Sequence, residues 1–79
     1  MELLQLRYFL VAAKYQHMTK AAEVLQIAQP ALSQSIKRLE QELGVSLFER
    51  EKRTIRLNDA GRFLEQKLLP IMAALDEIP

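Results

Sequence analysis

The sequence contains no cysteine and no tryptophan, a single histidine, two glycines and three prolines in 79 residues. Without cysteine there is no disulfide to staple the fold, no thiolate nucleophile and no thiolate ligand for zinc. One histidine excludes a two-histidine metal site. The two glycines, Gly44 and Gly61, stand alone and cannot form a glycine-rich phosphate loop. No Ser-His-acid spacing is present, so nothing points to an enzyme, a metal or a cofactor. The longest apolar run, Tyr8 to Ala13, is far below the roughly 20 residues that span a bilayer. The start, Met1-Glu2-Leu3-Leu4-Gln5-Leu6-Arg7, lacks the basic-then-apolar order of a signal peptide. The expectation is one soluble, cytoplasmic domain. A core this small supplies about 3–5 kcal/mol of net stability, which makes oligomerisation the expected reinforcement.

Charge is balanced in total and uneven in place. The net charge of +1 comes from 11 Lys and Arg against 10 Asp and Glu. Residues 14–56 hold Lys14, Lys20, Lys37, Arg38, Arg50, Lys52, Arg53 and Arg56 against Glu23, Glu40, Glu42, Glu49 and Glu51, a net +3. Residues 57–79 hold Arg62 and Lys67 against Asp59, Glu65, Asp76 and Glu77, a net −2. A basic middle masked by an acidic tail suits a polyanionic partner. A mixed-charge solvated face would look the same.

Apolar spacing divides the chain into four helices and a hairpin. Leu6, Phe9, Leu10 and Ala13 follow the i, i+3, i+4, i+7 pattern of a first amphipathic helix, extended backward by Leu3. Gln16-His17-Met18 breaks the pattern, with His17 read as a plain loop residue and Met18 as core. Thr19 supplies a capping hydroxyl for a second helix over Lys20 to Leu25, although Glu23 is one place late for a capping box. Pro30, tolerated only in a first turn, starts a third helix near Gln29, with no capping side chain at Ala28. Its stripe is Leu32, Ile36, Leu39 and Leu43, and Gly44 is its left-handed stop. Leu47-Phe48-Glu49-Arg50 and Thr54-Ile55-Arg56-Leu57 read as two strands joined by Glu51-Lys52-Arg53. Asn58 caps a fourth helix, in which Leu64, Leu68, Ile71 and Leu75 form a heptad seam for a partner helix. Packing within the chain is the other use of that seam. Pro70 predicts a kink in one helix, or a break into two.

A mainly α chain with a small β-hairpin in this order is a winged helix-turn-helix over residues 1–57, followed by a long dimerising linker helix over 58–79. Such a fold carries its own chemistry. A major groove admits one α-helix, whose first residues must offer short polar groups to base edges. Gln29, Ser33 and Gln34 meet that need, and Pro30 and Ala31 can touch a thymine methyl. Thr19 and Lys20 are placed to meet phosphate. Arg50, Lys52, Arg53 and Arg56 put four cations on the wing, where an arginine suits a narrow minor groove. Lys37 is free for phosphate unless Glu40 pairs with it, and Arg50 unless Glu49 or a helix carboxylate does.

The residues Leu6-Arg7-Tyr8-Phe9, Thr19-Lys20-Ala21-Ala22, Gln29-Pro30-Ala31-Leu32-Ser33, Leu39-Glu40, Leu43-Gly44 and Leu47-Phe48-Glu49-Arg50 resemble the amino-terminal domain of LysR-type transcriptional regulators. Arg53, Ile55, Leu57, Ala60 and Gly61 continue the likeness in order and spacing, so that it covers residues 3–64. The resemblance implies double-stranded DNA as partner, an interrupted palindrome near promoters, and a homodimer, or a tetramer in the full-length protein. It places base contacts at Gln29, Pro30, Ser33 and Gln34 and a wing contact at Arg53. Position 34 is often arginine in that family and position 28 often serine, so Gln34 and Ala28 depart from it. Full-length relatives add a carboxy-terminal domain that senses a small effector, which this sequence lacks; its end inside a helix points to a longer parent chain. The competing reading is a winged-helix module that docks protein on the outer face of its third helix and shows no salt-dependent affinity for duplex DNA.

Overall fold

Six elements follow one another in the computed structural model, which describes all of residues 1–79. They are α1 (Leu3–Tyr15), α2 (Met18–Leu25), α3 (Gln29–Leu43), β1 (Phe48–Arg50), β2 (Ile55–Leu57) and α4 (Asp59–Asp76). The strands pair antiparallel, with Phe48 opposite Leu57 and Arg50 opposite Ile55. This is the winged helix-turn-helix arrangement that the apolar spacing predicts.

Two left-handed residues set the turns between the first three helices. Gln16, at φ 48°, ends α1, and Gln26, at φ 58°, ends α2. Each returns its backbone N–H into the preceding helix, Gln16 to the carbonyl of Ala12 and Gln26 to those of Ala22 and Glu23. Gly44, at φ 71°, closes α3 as expected. Ala28 precedes α3 without a side-chain cap, so Pro30 in the first turn is the one N-terminal device there.

The start of α2 differs from the expectation. His17 is the cap, not Thr19: its Nδ1 accepts the backbone N–H of Lys20 at 3.1 Å, and the helix begins at Met18. Met18 is buried in the core and anchors the helix start two residues earlier than the hydroxyl pattern suggests. Thr19 is left exposed inside the first turn.

Fourteen apolar side chains make the core, and no polar or charged residue is buried with them. Phe9, Leu32, Ile36, Leu39 and Leu47 are sealed from solvent, and the Phe9 and Phe48 rings meet with centroids 5.6 Å apart. That contact fastens the hairpin to α1, which a two-stranded ribbon requires. Gln16 adds polar stitching: its carbonyl accepts from the N–H of Ile55 at 3.1 Å and its Oε1 from that of Leu57 at 3.2 Å. Glu40 holds the hairpin's entry, its Oε2 accepting from the N–H of Leu47 at 2.7 Å.

α4 is a single helix through Pro70, capped by Asn58 Oδ1 accepting from the N–H of Gly61 at 2.8 Å. Proline lacks an N–H, so the carbonyl of Gln66 loses its donor there, yet Leu68 and Met72 on either side are buried and hold the helix together. Arg7 near the start of α1 donates to Asp76 at the end of α4 at 2.8 Å, while Gln16 at the other end of α1 meets the strand that leads into α4. The two helices therefore run antiparallel.

The heptad seam does not behave as one stripe. Leu68 is in the chain's own core and Leu64 packs against it, whereas Ile71 and Leu75 remain exposed. Geometry explains the split. α4 packs along α1 with Leu68 and Met72 buried and Asp76 bonded to Arg7, while Ile71 and Leu75 of the seam stay exposed. No helix of the protein is long and apolar enough to cross a membrane.

Candidate nucleic-acid interface

Because Leu32, Ile36 and Leu39 turn α3 toward the core, its other side is forced outward. Gln29, Pro30, Ser33, Gln34 and Lys37 line an open cleft along that side, which Arg50 of the hairpin borders. A second cleft opens on the other flank of Gln29. It runs between the first turn of α2, with His17 and Thr19, and the hairpin residues Arg50, Lys52 and Arg53. Gln29 and Arg50 belong to both, so the two clefts form one continuous concave surface. Of the ten residues singled out for nucleic acid, Thr19, Gln29, Pro30, Ser33, Gln34, Lys37, Arg50 and Arg53 converge here. Lys20 and Ala31 are exposed but line neither cleft.

The charge pattern of this surface follows from where its carboxylates go. Four ion pairs exist: the amino terminus with Glu42, Arg7 with Asp76, Arg56 with Glu51, and Arg62 with Asp59. None involves Lys20, Lys37, Arg50, Lys52 or Arg53. Glu40 is taken up by the N–H of Leu47 and the Ser46 hydroxyl, so it does not pair with Lys37. Strand alternation sends Glu49 to the opposite face of the hairpin, into a recess with Arg56, Asn58 and Arg62, and Arg50 stays unpaired. Arg56 does not join the wing's free cations, because Glu51 lies 3.6 Å from it. Lys37, Arg50, Lys52 and Arg53 thus outnumber Glu40 and Glu51 along the two clefts, which leaves that side of the molecule net positive.

Polar side chains on α3 are partly ordered in advance. Gln29 Nε2 donates to the Ser33 hydroxyl at 2.7 Å, one helical turn on. Gln34 and Lys37 extend from exposed positions with no partner. Two positioning residues escape a reading by sequence. Gln16 looks like a pattern break, and its hold on the second strand needs a left-handed conformation that glutamine seldom adopts. His17 looks like loop because imidazole is not among the usual capping side chains.

Comparison with known proteins places this architecture. Residues 3–62 match the family described as bacterial regulatory helix-turn-helix protein, lysR family. The HTH-type transcriptional regulator BudR of Klebsiella aerogenes is 47% identical over 76 residues, covering 96% of this chain and 53% of BudR. The BenM DNA-binding domain, solved in complex with catB site 1 DNA, superposes with a TM-score of 0.93 at 42% identity, over 99% of this chain and 87% of that one. The CbnR DNA-binding domain in its DNA complex gives a TM-score of 0.91 at 36% identity, over 96% of this chain and 87% of that one. The chain spans between 26% and 53% of the length of three curated relatives that it matches, BudR among them. On the match over residues 3–62, this chain belongs to the LysR family of bacterial regulatory helix-turn-helix proteins.

Proposed function

We propose that this chain is the DNA-binding part of a bacterial transcription regulator and binds double-stranded DNA sequence-specifically. α3 enters the major groove with Gln29, Pro30, Ser33 and Gln34 toward base edges, and Arg53 of the wing reaches the neighbouring minor groove. Lys37, Arg50 and Thr19 meet the phosphate backbone on either side of α3. The observation that carries the reading is the gathering of Lys37, Arg50, Lys52 and Arg53, none of them ion-paired, around the polar face of α3. The relatives solved in DNA complexes support the same reading.

The working unit is a homodimer on an interrupted palindrome. Ile71 and Leu75 leave apolar surface on the outer half of α4, 53% and 37% exposed, and Ile78 just past its end is 68% exposed, which suits a second copy of that helix. In the whole protein a further domain would sense the effector, and the regulator would act on the chromosome in the cytoplasm. Selection of bound sequences from random duplex DNA tests the reading. Two inverted half-sites are expected, with centres about 34–36 Å apart or a multiple of that. Recovery of unenriched DNA would contradict sequence-specific binding, and a lone half-site would contradict the dimer.

A further inference from the structure

The first two turns of the outer face of α3 carry no charge: Gln29, Ser33 and Gln34 all precede Lys37, the first cation on that face. The two glutamines are not equivalent. Gln29 is half-buried, and its amide nitrogen is committed to the Ser33 hydroxyl at 2.7 Å. That bond holds the Gln29 side chain along the helix and uses one of its amide hydrogens. Gln34 is exposed and borders the same cleft with both ends of its carboxamide free.

A free carboxamide presents one donor and one acceptor side by side. Adenine offers the matching pair on its major-groove edge, an N6 donor beside an N7 acceptor, whereas guanine offers two acceptors and is best matched by arginine or lysine. We infer that Gln34 is the residue that specifies an adenine in each half-site, while Gln29 and Ser33 act as a single pre-locked unit. The inference rests on the DNA-binding reading above and assigns its base preference. A cation-free reading face also separates tasks: bases meet neutral groups, and phosphates meet Lys37 and the wing.

The test repeats the selection with the unmutated chain, Gln34→Arg and Gln34→Ala, all of which fold because position 34 is exposed. The unmutated chain should enrich adenine at one position of each half-site. Gln34→Arg should change that position alone to guanine, and Gln34→Ala should flatten it with an affinity loss of about tenfold on the adenine-bearing site. Identical preferences for Gln34→Arg and the unmutated chain would overturn the assignment. Failure of the unmutated chain to enrich any sequence would instead remove the DNA-binding reading, so the two failures are distinct. For the locked pair, Gln29→Ala, Ser33→Ala and the double variant are compared on the selected site. A double variant no weaker than either single one supports one unit, and losses that multiply would overturn it.

Discussion

Gln16 shows how much one side chain can decide. It sits at φ 48°, caps α1, and binds both Ile55 and Leu57 of the second strand. Gln16→Ala keeps the left-handed strain and loses the bond to Leu57, an expected cost of about 1 kcal/mol. Gln16→Gly loses the same bond but relieves strain of similar size, so its urea midpoint should stay near that of the unmutated chain. Equal losses in the two variants would contradict the strain argument. Gly61 makes the opposite point about space. A Cβ there would collide with the carbonyl oxygen of Leu47 and come within 2.8 Å of the Leu57 side chain. Gly61→Ala should therefore destabilise by about 1–3 kcal/mol through overpacking, read by thermal melting. His17 illustrates a role hidden from sequence, since nothing in the pattern Gln16-His17-Met18-Thr19 marks an imidazole as the cap. The decisive fact is the burial of Met18, which fixes the helix start one residue before the hydroxyl.

Helices α1 and α3 were legible because each carries an apolar stripe at helical spacing, and Pro30 and Gly44 mark the two ends of α3 as well. The strands were legible from alternation and each came out one residue shorter at its N-terminal end. α4 was legible as a helix, but its seam was not, because a heptad pattern says that a face is apolar and not which surface covers it. Leu68, at 7% exposure, supports α1, so Leu68→Asp should cost about 3 kcal/mol or more and unfold the chain. Ile71→Asp, at an exposed position, should leave the melting temperature of the fold nearly unchanged and turn dimers into monomers in sedimentation equilibrium. A monomeric unmutated chain would contradict the dimer. α3 offers a gain as well as losses. Ala28→Ser supplies the missing cap and should raise stability by about 1 kcal/mol.

On the scale of the whole molecule, the +1 net charge conceals a division that the fold makes physical. Glu49 lies on the hairpin's far face, and Glu40 and Glu51 line the clefts but are engaged by the N–H of Leu47 and by Arg56, so Lys37, Arg50, Lys52 and Arg53 outweigh them around α3. The candidate site was legible as a set of residues, and Lys20 and Ala31 show the limit: being near the site in sequence does not bring a side chain to the cleft. What the sequence could not show was which cations would be neutralised, since Arg56 and Arg50 look alike until Glu51 is placed beside one of them. Duplex DNA bound on this face releases counterions in proportion to the phosphates it meets. Titrating a selected operator at increasing salt is thus the most direct measurement. With the four free cations each neutralising one phosphate, log K should fall linearly against log salt with a slope of about −3.6 per chain, and Arg53→Ala should lower its magnitude by about 0.9. A slope near zero, unchanged in Arg53→Ala, would contradict DNA binding by this surface.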